Sequence, residues 1–347
     1  MKYSFIIATY NRIGELKELL SSAENLDFNR KDFEIIFVDD GSTDESEQFI
    51  KNYISESGLQ IEYYYQQNKG PGEARNHGMG KANGEYFIFI DSDCQFPTEY
   101  LQEVDKHIAI HKPDAFGGPD TCHDSFSPLL KAINYSMTSF IGTGGTRGSK
   151  KSVQKKFYPR SFNMGVSAKV FQHIGGMGNL RHGQDMEYSA RIYNNGYKVD
   201  LIHDAFVYHK RRTSIKRFYK QIFNWGVARI NLGRIDKKML KPIHLLPAVI
   251  VAGVLFIIAG SLLHLALKLP ILPLLIIWGI TLAGMIAIAA LAFFQSLLKY
   301  KIMKVGFLSI ITLYIQVFAY GSGLWKGIFQ VLKGKKTASG FTKNYYK

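Results

Sequence analysis

Short apolar runs alternate with amphipathic stretches over the first two thirds of the chain, and long apolar runs fill most of the last third. Tyr3 to Ala8, rich in Ile and Phe, predicts a buried strand. Asn11-Arg12-Ile13-Gly14 then leads into a helix near Glu15 to Asn25 with Leu16, Leu19 and Leu20 on one face. A second strand, Glu34 to Val38, ends in the turn Asp39-Asp40-Gly41-Ser42-Thr43-Asp44. A helix runs on through Tyr53, with Ser42 or Thr43 available as its N-cap. A third strand, Gln60 to Gln66, precedes the loop Asn68-Lys69-Gly70-Pro71-Gly72 and a helix from Glu73 to Ala82. The fourth strand, Tyr86 to Ile90, is followed at once by Asp91-Ser92-Asp93. Strands alternating with helices of these lengths predict a parallel sheet, whose ligands bind beyond the carboxyl ends of the strands. The polar clusters of this region fall at such ends.

From Pro113 to Pro159 the chain becomes rich in Gly, Ser and Lys, and Gly142 to Lys151 reads as a mobile active-site loop, with a passive linker as the alternative. Leu245 to Leu267 and Ile271 to Phe294 are each long enough to cross a hydrocarbon core about 30 Å thick. Val305 to Leu324 contains Ser309, Thr312, Gln316 and Gly321-Ser322-Gly323, and is open to three readings: a third span, a re-entrant piece or an interfacial helix. Between the halves, Ser214 to Lys238 sets basic residues against Ile215, Phe218, Ile222 and Trp225 at helical spacing, the pattern of a helix lying in a membrane surface. The expected organisation is a catalytic domain over 1–210, a basic interfacial segment over 211–242, a membrane domain over 243–332 and a basic tail over 333–347. Within the membrane domain the spans are 245–267, 271–294 and a third at 305–324.

The net charge of +15 suits a nucleic acid, an anionic membrane or a phosphorylated substrate. Placement selects the membrane, because the run from Lys210, Arg211 and Arg212 to Lys237, Lys238 and Lys241 directly precedes the first long apolar segment. Lys299, Lys301 and Lys304 agree with two spans and both ends cytosolic, whereas a third span would carry Lys333, Lys335 and Lys336 outside. Cys94 and Cys122 have no metal-like spacing and are too few for a disulfide framework. The N-terminus has no long apolar core of a signal peptide, so the catalytic part is expected in the cytosol, at an inner membrane. Dinucleotide and P-loop fingerprints do not occur.

Asp91-Ser92-Asp93 offers two carboxylates at a strand end, a pattern that hard cations such as Mg²⁺ or Mn²⁺ use to bridge protein to diphosphate. A simple turn also supplies it. Asp39-Asp40 is a second acidic point on the same rim, able to accept from a base or ribose or simply to complement a helix N-terminus. Gly183-Gln184-Asp185-Met186-Glu187 opens another helix, where Asp185 serves either as an N-cap or as a base for an acceptor hydroxyl.

Ile6-Ile7-Ala8-Thr9-Tyr10-Asn11-Arg12, Val38 to Asp44, Gly70-Pro71-Gly72-Glu73-Ala74-Arg75-Asn76, Asp91-Ser92-Asp93 and Gly183-Gln184-Asp185, in that order, resemble family 2 glycosyltransferases over roughly Lys2 to His209. The resemblance implies an α/β GT-A fold, a Rossmann-like nucleotide-sugar-binding domain with a parallel or mixed sheet, followed here by transmembrane helices. It implies that Ala8, Thr9, Tyr10, Asp40, Arg75, Asp91 and Ser92 meet the nucleotide sugar and that Asp185 is the catalytic base. Asp91 and Asp93, with His209, would serve Mn²⁺ or Mg²⁺, and Asn163, Gln184 and Trp225 would lie on the acceptor side. His209 is equally readable as a buried structural histidine. The family usually has Glu-Asp where this chain has Gln184-Asp185, which alters the neighbour of the base. Gln221 to Trp225 partly resembles the Q-x-x-R-W motif of processive synthases, with Asn224 where the Arg would stand. The implied reaction is an inverting, metal-dependent transfer at the cytosolic membrane face, from a nucleotide-diphosphate sugar (a UDP-sugar first) to a lipid-linked or growing saccharide, without nucleic acid. A processive synthase and a silent nucleotide-binding membrane scaffold are the alternatives.

Overall fold

A computed structural model describes residues 1–147, 156–211 and 213–341. The chain divides into two compact units, one from Met1–Ser125 and Thr143–Arg211, the other from Phe126–Gly142 and Arg212–Lys343.

The first unit follows the predicted alternation: β1 (Tyr3–Thr9), α1 (Ile13–Glu24), β2 (Phe33–Asp39), α2 (Ser46–Glu56), β3 (Ile61–Tyr65), α3 (Pro71–Met79) and β4 (Tyr86–Ile90). Then come β5 (Cys94–Gln95), α4 (Tyr100–His111), β6 (Ala115–Gly117) and β7 (Asp120–Thr121). Between them and the next strand run α5 (Pro128–Thr138) and α6 (Phe140–Thr143), and the unit closes with β8 (Asn163–Ser167), α7 (Ala168–Ile174), α8 (Gln184–Asn194), β9 (Val199–Leu201) and β10 (Val207–His209). The main sheet has the order β3-β2-β1-β4-β8-β6-β9. It is mixed, because β8 runs antiparallel to both β4 and β6 while the other pairs are parallel. Every residue of β2 is buried, as a central strand covered on both faces requires. Leu16, Leu19 and Leu20 of α1 join Phe5, Ile7 and Phe37 in one core cluster, and Ile6, Phe87 and Phe89 point into another with Val166 and Tyr188. A small sheet, β5-β10-β7, is built at the rim of this unit.

The second unit holds α5 with α9 (Ile215–Ile235), α10 (Pro242–Ala266), α11 (Ile271–Tyr300) and α12 (Met303–Leu332). The last three are long and apolar enough to cross a membrane. The expectation of one uninterrupted domain over 1–210 is corrected here, since 126–142 packs with the second unit. Its apolar Ile133 and Met137 share a core with Phe218, Ile222, Phe223, Val227 and Ala319, and its Ser136 lies 2.7 Å from Thr312. The same core corrects the surface-helix expectation: Phe218 and Ile222 of α9 are 0% and 2% exposed, covered by protein. Ser309, Thr312 and Gln316, the polar positions of the third apolar segment, are buried as well. Of the loop expected over 142–151, residues 148–151 lie outside the described residues. In the basic tail Arg234 donates to the carbonyls of Lys335 and Lys336, and Asn224 accepts from the Phe341 amide. Residues 342–347 lie outside the described residues.

Candidate active site

The site is built where β1, β2 and β4 end. Asn11, with φ 51°, turns the chain after β1, a left-handed position that asparagine tolerates better than most residues. Its Oδ1 accepts from the Thr43 and Asp44 amides at 2.7 and 3.2 Å, fastening the turn after β1 to the turn after β2. Thr9 is buried, its Oγ1 has no hydrogen-bond partner, and its carbonyl accepts from the Asp40 amide. Ala8 and Tyr10 beside it are half-buried.

Asp40 departs from expectation. It is fully buried, and both carboxylate oxygens are taken up by protein, one accepting from Gln66 Nε2 and the Lys69 amide, the other from the Gly70 amide, all at 2.8 Å. It fixes the loop that starts α3, where Gly70 at φ 96° is followed by Pro71 in the first helical turn. As it stands, the residue shapes the rim and does not present an open carboxylate to a nucleoside.

On α3, Arg75 is buried and its Nη2 donates to Asp91 Oδ1 at 2.6 Å. Asn76 grips the Met177 backbone in both directions, at 2.7 and 2.9 Å, and so fixes the turn before α8. Ser92 is buried between the two aspartates. Strand register then places the carboxylates: Ile90 pairs with Asn163, so Asp91 emerges beside the residues that precede β8. Asp185 Oδ2 accepts from one of these, the Ser161 amide, at 3.4 Å. Asp185 is half-buried in the first turn of α8. Asp91 and Asp185, 94 positions apart in sequence, therefore share one rim.

His209 reaches the same rim through the small sheet, in which it pairs with Cys94. Its Nε2 lies 3.2 Å from Asp93 Oδ1 and its Nδ1 3.1 Å from Asp120 Oδ2. Burial pulls the imidazolium pKa down, but Asp93 and Asp120 outweigh it and hold the pKa above its usual value. Asp120 is buried, which alone would raise its carboxyl; Arg147, then Arg211 and His209, hold it well below the usual range. Arg147 Nη2 donates to Asp120 Oδ2 at 2.9 Å and Arg211 Nη2 donates to the same oxygen. Arg12 also faces this acidic end: burial weakens its charged form, while Asp93 and Glu15 more than restore it.

Asp93, Cys94 and His209 place one donor atom each within 4.8 Å of one another. Cys94 is a poor member of that set, since burial, then Asp93 and Asp91, push its thiol pKa well up and its Sγ–H faces the Phe162 carbonyl at 3.7 Å. The carboxylate and imidazole that remain suit a hard to borderline divalent cation. Asp91, expected to share this role, is instead engaged by Arg75.

Two residues expected on the acceptor side are corrected. Asn163 is 0% exposed, accepting from Tyr100 and donating to the Ala205 carbonyl, so it locks β8 in the core. Gln184 is buried with its Nε2 donating to the Gly178 carbonyl at 3.2 Å. An added Cβ on Gly72 would fall 2.2 Å from that Nε2, so Gly72 is what admits the Gln184 side chain. Trp225 belongs to the second unit, half-buried against the α9–α12 core. Sequence reading assigns no role at the site to Arg12, Asp120, Arg147 or Arg211, although Arg12 closes the first motif and Arg211 stands in the basic run. On the reverse side of the small sheet Tyr208 and Gln95 border an open groove of about 530 Å³ with Glu18 and Asn25 of α1, and none of Arg75, Asp91, Asp93 or Asp185 lines it.

A Rossmann-like mixed sheet with carboxylates gathered beyond β4 and at the start of α8 defines a GT-A type of fold. Residues 4–175, from β1 through α7, match Glycosyl transferase family 2. The chain thus carries a family 2 glycosyltransferase domain. Over 222 residues it is 36% identical to the poly(ribitol-phosphate) beta-N-acetylglucosaminyltransferase TarS of Staphylococcus aureus, covering 60% of this chain and 35% of that one. It is 37% identical over 105 residues to the GalNAc(5)-diNAcBac-PP-undecaprenol beta-1,3-glucosyltransferase of Campylobacter jejuni, covering 30% of this chain and 33% of that one. The chain thus spans about a third of the length of each of these relatives. Among solved structures, the mannosyltransferase PcManGT of Pyrobaculum calidifontis, in complex with GDP-Man and Mn²⁺, is alike in fold. The TM-score is 0.62 over 89% of this chain and 86% of that one, at 15% identity.

Proposed function

We propose that the chain transfers one sugar per encounter, with inversion, from a nucleotide-diphosphate sugar to a lipid-linked or growing saccharide at the cytosolic face of the inner membrane. The observation that carries this reading is the register of β4 with β8, which sets Asp91 and Asp93 on the rim that also holds Asp185. Asp185, half-exposed and oriented by the Ser161 amide, takes the proton from the acceptor hydroxyl as the new bond forms. Asp93 and His209 would hold Mn²⁺ or Mg²⁺, which when bound supplies charge neutralisation for the departing diphosphate. Arg75 orients Asp91 through their 2.6 Å ion pair, and Arg12 adds positive charge at the same edge. Thr9, with its unpartnered hydroxyl, and Ala8, Tyr10 and Ser92 line the place where the nucleotide sugar would lie. A UDP-sugar is the first donor to try. The beta linkage in the names of both relatives is what inversion of an alpha-linked nucleotide sugar gives, and the undecaprenol-linked substrate in one name favours a lipid-linked acceptor.

The test is transfer of labelled sugar from UDP-, GDP- and dTDP-sugars into lipid extract, with Mn²⁺ or EDTA, by membranes carrying the full chain or its Asp185→Asn variant. Metal-dependent label that disappears in the variant supports the reading. Nucleotide binding without transfer from any donor would instead indicate a scaffold, and long polymer from donor alone a processive synthase.

A further inference from the structure

Length and composition make α12 a third membrane span, but its packing places it elsewhere. Helices α10 and α11 form a hairpin through the short turn Leu267–Pro270, with Trp278 Nε1 donating to Ser261 Oγ across it at 2.9 Å. The start of α10 and the end of α11 therefore lie at the same end of the hairpin, the end at which α9 joins. The backbone approaches of α12 to the hairpin at Gly306 and Gly321 fall toward that end. Gly306 lies against the Phe293 ring, near the end of α11, and Tyr314 reaches back to the Met285 carbonyl with its long side chain. Further on, Gly321 presses on the Pro247 carbonyl, with an added Cβ only 2.3 Å away, and Trp325 Nε1 donates to the Ala248 carbonyl at 2.9 Å. Thus the first half of α12 meets the end of α11 and the second half meets the start of α10. A helix crossing beside the hairpin would instead finish near Leu267.

Burial agrees. Among the described residues, those buried in α10 are Ala248 and Val251, and those buried in α11 are Ala292 and Ser296, all at this one end. The rest of the hairpin is bare and apolar, with Leu255, Phe256, Leu262, Leu272 and Ile280 each more than half exposed. The faces of α12 are also sorted as an in-plane helix requires. Ser309, Thr312 and Gln316 are buried, with Thr312 donating to the Ala132 carbonyl of α5 at 3.1 Å. Met303, Phe307 and Ile311, four residues apart, are exposed on another face, and Tyr314 and Phe318 continue that stripe half-exposed.

We infer that the chain crosses the bilayer twice, through α10 and α11, and that α12 lies in the lipid surface as a platform roofed by α5 and α9. Its apolar stripe meets acyl chains, and its ends stay on the side from which α10 departs. Lys304, Lys333, Lys335 and Lys336 then share a side with the basic run Lys210 to Lys241, the distribution that positively charged flanks favour. This inference depends on the membrane attachment in the proposed function and goes beyond it.

Single cysteines placed at Lys31, Lys268 and Lys336, all exposed, in a full-length Cys122→Ser chain would be treated with a membrane-impermeant maleimide in sealed vesicles of both orientations. The expected result is labelling of the Lys31→Cys and Lys336→Cys variants in one orientation and of Lys268→Cys only in the other. Labelling of Lys336→Cys together with Lys268→Cys would overturn the inference and restore a third span. Equal labelling of all three in both vesicle types would mean that nothing crosses, which would sink the membrane reading itself and the inference with it. Protease removal of a C-terminal epitope from the chain without cysteine substitutions, in the same two vesicle types, gives the same discrimination.

Discussion

Replacing Asp120 by asparagine removes one charge from a buried cluster and keeps its shape. The Asp120 side chain is 0% exposed, and those of Arg147 and Arg211 are 6% and 3%. Both guanidinium groups would lose the buried carboxylate they share. Breaking a buried ion pair from one side costs about 3–5 kcal/mol. At about 2–4 °C per kcal/mol for a unit of this size, the melting temperature of the catalytic unit should fall by about 6–20 °C. The amide also cannot serve the two arginines and His209 Nδ1 as the carboxylate does, so His209 loses its orientation toward Asp93. A lost partner of a metal-binding histidine weakens metal affinity by about 10–100-fold. Both effects can be read on the detergent-solubilised full chain, by intrinsic fluorescence on heating after EDTA treatment and by Mn²⁺ titration followed by electron paramagnetic resonance. The pH dependence has a definite sign. Because the folded carboxyl is held below its unfolded value of about 3.9, its stabilisation is present at neutral pH and is lost as pH falls through the lower folded value. The asparagine variant should lack that acid-side loss. A variant that melts within 2 °C of the parent, by the same ~2–4 °C per kcal/mol scale, and binds Mn²⁺ equally well would refute the reasoning.

Asp185→Asn should lower transfer by about 10²–10⁴-fold while leaving nucleotide binding intact, as single-turnover rates and calorimetry would report; unchanged turnover would remove it as the base. Gly72→Ala should push Gln184 and the start of α8 out of place and reduce kcat. Gly72→Ala combined with Gln184→Ala should recover part of it, and additive losses in the double variant would show that the two positions are not coupled. In metal-free protein His209 holds its proton more tightly than in the unfolded chain. Its stabilisation is therefore complete below about pH 6.5 and lost as pH rises through the higher folded value, a loss that a His209→Gln variant should not show in melts from acid to alkaline pH. Gly323→Ala should cost about 1–3 kcal/mol by forcing α9 from α12, since its Cβ would fall 2.1 Å from the Phe223 carbonyl oxygen, and thermal melts of the full chain would register it.

Much of the rim was legible because its carboxylates stand directly after strands: Asp91 and Asp93 follow the apolar run Tyr86 to Ile90, and Asp185 opens a helix after a glycine. Asp120 was not, because its partner His209 is 89 positions away and meets it through the two-residue strand β7, too short to leave a periodic signal. Asp40 looked like a free ligand because sequence cannot show that three donors from the following loop close on it. Asn163 misled for a similar reason, since a polar residue opening a strand gives no sign that Tyr100 and Ala205 enclose it. Hydropathy likewise treats Ser309, Thr312 and Gln316 as blemishes in a span. Thr312 meets Ser136 and the Ala132 carbonyl of α5, and Gln316 donates to the Gly142 carbonyl of α6.

The pairing of α5 with α12 also has a consequence for how the chain is made. α5 leaves the ribosome early, flanked by strands of the catalytic sheet, whereas α12 is almost the last element to appear. Until then Ser136 lacks its Thr312 partner and Ile133 and Met137 have at most the partial cover that α9 supplies, so a growing chain carries an incompletely covered apolar segment through most of its synthesis. Truncation anywhere before α12 would strand that surface for good, and products lacking only the final helix should aggregate even though every residue of the catalytic sheet is present.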